Sequence, residues 1–211
     1  DYCRQLLQLL GASPEQVKVM EARDGLHSEG DVPTSTIQNA GPPPVRRGAR
    51  VPMGDPGATA QAVRELAKQY GAPPGLFLEH AHSPVGRVIV APERCTGCGV
   101  CATACPTKAL DFVHDDEAAA LTFDSGLCVA CGNCVDVCPE SGEGAIRVAR
   151  VTDMTSLMGG RVALYQDREK RCIACGAPIA TSAMLARIAQ VMGSDYAGIS
   201  KVVEQYCPAC R

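Results

Sequence analysis

The chain has 211 residues, a formal net charge of −3, no Trp and 13 Cys. This length fits one ordinary domain or two small ones, and the charge predicts no general attraction for nucleic acid or an anionic membrane surface. No apolar run approaches the roughly 20 residues that span a bilayer, and no signal peptide is visible. So many cysteines without a signal peptide indicate metal ligands before disulfides, and we expect a cytoplasmic protein.

Residues 1–24 predict half of an α/β unit, which we interpret as the end of a longer domain. Cys3 shares one helical face with Leu6 and Leu10, and "VKVMEA" predicts a strand after the helix-start pattern "SPEQ". Cys3 belongs to no motif. Its simpler interpretation is a small core residue on an apolar face, and a ligand or a reactive thiol is the alternative.

Residues 25–57 are rich in Pro and Gly, which predicts an extended segment without a regular element. One interpretation is a solvated linker. The other is an arm that lies along a partner, with Arg46, Arg47 and Arg50 against an acidic surface of that partner.

Residues 58–85 predict a helix and a connection. Asp55 and Pro56 have the character of a helix start, and Gly71 that of a helix end. The apolar face of this helix must pack against another surface, most economically that of the domain that follows or of a partner protein.

Two cysteine rows follow, and the second is a near copy of the first. Each has the spacing C-x2-C-x2-C-x3-C and ends in Pro; the members are Cys95, Cys98, Cys101 and Cys105 in row one, and Cys128, Cys131, Cys134 and Cys138 in row two. Cysteines three residues apart on a tight loop reach one common centre more easily than four separate partners. The small residues between them let the backbone approach an inorganic core. A tandem zinc site or a disulfide knot is the alternative.

On these rows, residues 86–152 resemble a bacterial-type two-cluster ferredoxin. The resemblance implies an α+β, ferredoxin-like, pseudo-symmetric domain that binds two 4Fe–4S clusters. It further implies crossed ligation: cluster I takes Cys95, Cys98, Cys101 and Cys138, and cluster II takes Cys128, Cys131, Cys134 and Cys105. Short strands lead into and out of each row, and we expect the fourth cysteine of each row to open a short helix. "PESGEGAI" departs from the compact "PTKAL" of row one and lengthens the turn after Cys138.

After a connector at 153–171, residues 172–211 predict a small zinc-ribbon-like domain that contains helices. Its two C-x2-C pairs are Cys172 with Cys175 and Cys207 with Cys210. Four thiolates in two such pairs are typical of a structural zinc site. A third iron–sulfur cluster or disulfides would use the same residues. The four histidines, His27, His80, His82 and His114, have no ligand spacing and are interpreted as surface or loop residues.

No motif for substrate chemistry is present, so we expect an electron-transfer component without its own substrate site. The order of arm, cluster domain and four-cysteine domain is similar to that of the iron–sulfur proteins that accompany molybdopterin oxidoreductases such as formate dehydrogenases. This resemblance implies a redox protein as partner. The net charge and the lack of a long apolar run predict no nucleic-acid partner and no direct membrane span. A free soluble ferredoxin carrier is the alternative. A nucleic-acid-binding zinc ribbon would need a basic, aromatic-rich surface that the sequence lacks.

Overall fold

The computed structural model describes residues 2–10, 55–71, 75–115 and 118–211. The strand predicted at "VKVMEA", the arginines of the arm and His27 lie outside these ranges. The helices are α1 Tyr2–Leu9, α2 Pro56–Tyr70, α3 Val100–Thr103, α4 Asn133–Asp136, α5 Met154–Gly159, α6 Ser182–Met192 and α7 Tyr196–Gln205. The strands are β1 Phe77–Glu79, β2 Gly86–Val90, β3 Leu110–His114, β4 Ala118–Phe123, β5 Ile146–Asp153, β6 Val162–Arg171 and β7 Pro178–Thr181. Helices and sheets are both present, so the α+β class is correct.

Two antiparallel sheets carry the cysteine rows. One has the strand order β1-β5-β2 and the other has the order β3-β4-β6-β7. In the first, the strand that enters row one pairs with the strand that leaves row two, with Val88 opposite Val148. In the second, the strand that leaves row one pairs with the strand that enters row two, with Phe112 opposite Leu121. The two rows are therefore brought together by strand pairing at both ends.

The N-terminal helices α1 and α2 pack on the first sheet and on α5. Helix α2 begins after Asp55, whose side chain accepts a hydrogen bond from the main chain of Gly57, and it ends at Gly71 in the left-handed conformation, as the sequence predicts. Its apolar face is covered within the chain: Val63 joins a core cluster with Leu6 of α1 and Leu157 of α5.

The expectation for Cys3 is wrong. Its side chain is exposed, whereas Tyr2 is buried in the same core cluster as Leu6 and Leu10. Tyr2, Leu6 and Leu10 follow one another at intervals of four residues and form one stripe of the helix, which faces the core cluster. Cys3 lies to one side of that stripe.

The segment predicted as a connector at 153–171 contains helix α5 and strand β6. Strand β6 pairs with β4 on one side and with β7 on the other, so one sheet continues from the row-bearing region into the four-cysteine region. Thr181 caps the start of helix α6, and Gly193 follows its last residue. Within the described ranges, no helix is both long enough and apolar enough to cross a membrane.

Candidate metal centres

Row one turns sharply after β2 because two of its glycines adopt backbone conformations that L side chains rarely take. Gly97 has φ of 64° and Gly99 has φ of 72°. Gly99 then starts helix α3, which contains Cys101, and Cys105 follows that helix. The expectation that the fourth cysteine opens a helix is therefore wrong: the third lies inside the helix. The residue before a proline is disfavoured in helical conformation, which ends α3 before Cys105.

Row two has the same local structure. Gly132, with φ of 90°, starts helix α4. Cys134 lies in that helix, Cys138 follows it, and Pro139 comes next. The short helices direct the third and fourth cysteines of each row to different places.

The first of two cavities lies between the rows. Its cysteines are Cys95, Cys98, Cys101 and Cys138. Its apolar walls are Val90, Phe112, Leu121, Ala145 and Ile146. Glu140 is the single carboxylate at this wall.

The second cavity has the complementary set of cysteines, Cys128, Cys131, Cys134 and Cys105. Its apolar walls are Val88, Ala109, Leu110, Val129 and Val148. Each cavity therefore receives three cysteines from one row and the fourth cysteine of the other row. Mostly apolar walls of this kind keep water away from a group held by the sulfurs.

The thiols of both cavities are crowded. Burial is the main cause that raises the pKa of Cys101 to about 12, and the nearby thiols of Cys98 and Cys95 are the next. Burial, followed by the effect of Cys128, raises the pKa of Cys134 to about 11. Thiolates this close repel one another, so a bound cationic group is needed for all of them to ionise together. This donor set fits thiophilic iron.

Cys105 differs from Cys101 and Cys134 because the hydrogen bonds to its sulfur outweigh burial. The main-chain N–H of Leu110 donates to Cys105 Sγ over 3.5 Å, and Thr107 Oγ1 lies 3.7 Å from the same sulfur. Burial acts to raise the pKa of Cys105, but these hydrogen bonds outweigh it and the pKa is lowered. Such donors stabilise negative charge on a ligand sulfur.

The C-terminal cysteines form a third, tighter group. Cys172 and Cys175 lie in the connection between β6 and β7, and Cys207 and Cys210 follow α7. All four Sγ atoms lie within 4.8 Å of one another, and those of Cys175 and Cys207 are 3.6 Å apart.

Main-chain hydrogen bonds hold the two C-terminal pairs together. The N–H of Ile173 donates to the oxygen of Gln205 over 2.9 Å, which joins the first pair to the end of α7. The N–H of Gly176 donates to the oxygen of Cys172 over 2.8 Å, and Gly176 has φ of 72°. The four ligand sulfurs are thus placed by backbone geometry as well as by the side chains.

The thiols of Cys172 and Cys210 differ in acidity. Main-chain hydrogen bonds, that from Cys207 first, lower the pKa of Cys172 to about 6. Hydrogen bonds with Cys175 and then Cys207 raise the pKa of Cys210 to about 12. The group shares protons among its sulfurs, which is the behaviour of a ligand set that gives up protons when a metal binds.

Sequence reasoning missed several residues that contact the wall of the first cavity. Tyr165 and Thr181 pack against Gly97, and Arg187 forms an ion pair with Glu140 over 2.9 Å. Nothing in their local sequence marks them; only Glu140 carries a signal, since it lies two positions after a row cysteine.

The described histidines lie outside the four-cysteine group. The rings of His80 and His82 are 5.5 Å apart. His114 Nδ1 lies 2.7 Å from Glu169 Oε1 on the neighbouring part of the second sheet. His82 and His114 are exposed and His80 is half-buried, so the interpretation of these three as surface or loop residues is confirmed.

Comparison with known families identifies the rows. Residues 94–142 match the family model described as a 4Fe-4S dicluster domain. The matched stretch includes every cysteine of both rows, so the chain contains an iron–sulfur domain of the ferredoxin type. The comparison with curated proteins gave no match.

Proposed function

We propose that this chain transfers electrons through two 4Fe–4S clusters as a subunit or domain of a larger oxidoreductase complex. Cluster I would be held by Cys95, Cys98, Cys101 and Cys138. Cluster II would be held by Cys128, Cys131, Cys134 and Cys105. The pseudo-symmetric ferredoxin arrangement belongs to this proposal.

One observation carries the proposal: each cavity is lined by three cysteines of one row and the fourth of the other. This is the distribution that crossed ligation in two-cluster ferredoxins requires. Uncrossed ligation would instead need Cys105 at the first cavity and Cys138 at the second. The match over 94–142 supports the same interpretation.

When bound, 4Fe–4S clusters supply one-electron transfer. The chain's own residues would hold the irons through thiolates and exclude water through apolar walls. They would also donate hydrogen bonds to ligand sulfur, as Leu110 does to Cys105. Hydrogen bonds to sulfur, burial and local charge set the reduction potential of such clusters. These features suit a relay that passes electrons one at a time between two redox centres.

The C-terminal group would bind one structural zinc through Cys172, Cys175, Cys207 and Cys210. Tetrahedral zinc with Zn–S distances of about 2.3 Å places its sulfurs about 3.8 Å apart. The spacing of the group, all within 4.8 Å, suits this single ion. A third cubane would fit less well because its iron and sulfide atoms must occupy the space between the thiolates. A closed four-thiolate set has no open position, so its role would be structural.

The partner would be a redox protein, such as a molybdopterin-containing oxidoreductase. The support is the sequence: cluster ligands are present and no motif for substrate chemistry is found. The chain itself would therefore have no turnover with a small substrate, and the arm at residues 25–57 would lie against the partner.

The test is anaerobic purification with metal analysis and identification of bound proteins. We expect about eight iron and about eight acid-labile sulfide per chain, together with one zinc. Iron at about half that level in a fully reconstituted sample would refute the pair of clusters.

The second part of the test concerns the partner. Replacing Arg46, Arg47 and Arg50 by Gln should weaken the partner complex and leave the iron content unchanged. Equal recovery of the same partner with either protein would favour a free ferredoxin carrier.

A further inference from the structure

The first cavity has a charged wall, and the second has none. Glu140 is the only Asp, Glu, Lys or Arg among the residues that line either cavity. Its side chain is 13% exposed, so its charge is held close to the first cavity and is poorly screened by solvent. The two near-identical rows therefore have different electrostatic surroundings.

Arg187 of helix α6 compensates this charge. Its Nε donates a hydrogen bond to Glu140 Oε1 over 2.9 Å, and its Nη1 donates to Gln190 Oε1 over 3.1 Å. The arginine comes from the four-cysteine region, 47 residues further along the chain. The contact thus connects that region to the wall of the first cavity.

Helix α6 is fixed against row one at its first turn. Thr181 Oγ1 donates to the main-chain oxygen of Thr96 over 2.5 Å and accepts from the N–H of Met184 over 3.2 Å. Asp167 Oδ2 accepts from the N–H of Ala183 over 2.8 Å. Because Thr96 also lines the first cavity, Arg187 is held in register with that cavity.

We propose that Arg187 is a positioning residue that neutralises Glu140 and thereby raises the reduction potential of cluster I relative to cluster II. This inference rests on the proposed function, since it concerns the cluster at the first cavity. The step is a one-electron reduction: a reducing redox protein loses one electron, cluster I gains it, and no bond forms or breaks.

The sign follows from electrostatics. Reduction adds negative charge to the cluster, and an unpaired carboxylate beside it opposes that addition. The guanidinium removes most of this opposition. Without Arg187, cluster I becomes harder to reduce, while cluster II, with no charged side chain at its cavity, changes little.

The test is a redox titration followed by paramagnetic resonance on the zinc-loaded, anaerobically reconstituted full chain. Signals are first assigned to cavities with Cys98→Ser and Cys131→Ser. We expect Arg187→Gln to lower the equilibrium constant for cluster I reduction about tenfold, which is about 59 mV for one electron. Glu140→Gln should raise it. Arg187→Lys, which keeps the charge, should recover most of the wild-type value.

A double-mutant cycle separates electrostatics from structural damage. In the Glu140→Gln background, Arg187→Gln should return cluster I to about its wild-type potential, because both charges are then absent. The matched control is Arg87→Gln, because Arg87 forms an ion pair with Asp153 at 3.2 Å. The exposed fractions of the two pairs are similar: 46% for Arg87 and 12% for Asp153, against 40% for Arg187 and 13% for Glu140. Neither Arg87 nor Asp153 lines a cavity.

Two results would overturn the inference: unchanged potentials in Arg187→Gln, or equal shifts of both clusters. A double variant whose cluster I potential stays as low as that of Arg187→Gln alone would also overturn it. Failure of the proposed function would look different, because the wild-type chain itself would then show no pair of iron–sulfur signals.

Discussion

Tyr2 and Thr152 share a buried hydrogen bond of 2.5 Å between Oη and Oγ1, although 150 residues separate them. Thr152 is fully buried and also lies 3.1 Å from the hydroxyl of Ser83. Helix α1 is thereby attached to strand β5, which leaves row two. Burial is the main cause that raises the pKa of Tyr2, so its hydroxyl is neutral and able to donate.

The first prediction concerns this attachment. Tyr2→Phe should lower the free energy of unfolding by about 1 kcal/mol, because Thr152 keeps Ser83 as a partner and loses only one hydrogen bond. Leu6→Ala, at a position that is 3% exposed, should cost about 2–5 kcal/mol. Anaerobic urea denaturation followed by circular dichroism measures both.

The control for that prediction lies on the same helix. Leu9 is 47% exposed, so Leu9→Ala should change the free energy of unfolding by no more than about 0.5 kcal/mol. Equal effects of Leu6→Ala and Leu9→Ala would show that α1 does not pack on the first sheet in solution.

The second prediction tests crossed ligation. Cys138→Ser should damage the cluster held by Cys95, Cys98 and Cys101, although Cys138 belongs to the other row. Cys105→Ser should damage the cluster held by row two. Paramagnetic resonance of selectively reduced samples distinguishes the two, and loss of the cluster of the same row in either variant would show that ligation is not crossed.

The third prediction concerns the packing of row one against the second sheet. A Cβ at Gly97 would lie 2.8 Å from Thr181 Cγ2 and 2.8 Å from Tyr165 Cε1. Gly97→Ala should therefore displace the loop that carries Cys95 and Cys98 and make the cluster I signal labile. Iron content and signal decay in air measure the effect.

Gly71→Ala is the matched control for that prediction. Gly71 has φ of 65°, against 64° for Gly97, and a Cβ there would meet nothing within 4 Å. In both variants, an alanine in the left-handed backbone conformation should lower the free energy of unfolding by about 1–2 kcal/mol. If Gly71→Ala destabilised cluster I as much as Gly97→Ala, general instability and not this contact would be responsible.

Local signals made part of this molecule predictable. The cysteine spacing, the helix start at Asp55 and the helix end at Gly71 are each encoded within a few residues. The C-x2-C pairs grouped the four C-terminal cysteines. The crossed grouping of the row cysteines came instead from the resemblance to two-cluster ferredoxins, and each cavity is lined by one of the two sets that it implies.

Long-range features were not predictable in the same way. Strand β6 was predicted as part of a connector because its role depends on pairing with β4 and β7. Cys3 was placed in the core because a helical face has no direction until a partner surface is known. Arg187 and Glu140 meet only after the second sheet has formed, so neither residue's local sequence identifies the pair.

The fourth prediction concerns the C-terminal group and pH. At pH 7 in the metal-free chain, Cys172, with a pKa of about 6, is mostly thiolate. Cys210, with a pKa of about 12, is a thiol. The main-chain N–H of Ala177 acts to lower the pKa of Cys175, but hydrogen bonds with Cys172 and Cys207 outweigh it, so the pKa is raised and Cys175 is a thiol as well. Zinc binds thiolates, so Cys175 and Cys210 should each release one proton when zinc binds.

The direction of the pH dependence follows from these protons. Each released proton strengthens apparent binding about tenfold per pH unit, so affinity should rise at least about 100-fold per unit near pH 7. Below about pH 6, Cys172 is also protonated before zinc binds, and the slope should increase by about one further proton. Zinc binding should therefore weaken as pH falls, and weaken more steeply below pH 6.

Calorimetry in buffers of different ionisation enthalpy counts the protons, and competition with a chelator gives the affinity. Cys3→Ser is the control because Cys3 is exposed and lies outside the four-cysteine group, so its proton count should equal that of the wild type. Cys210→Ala should release fewer protons and bind zinc more weakly. An affinity independent of pH between about 5 and about 8 would show that the four thiols do not bind the ion together.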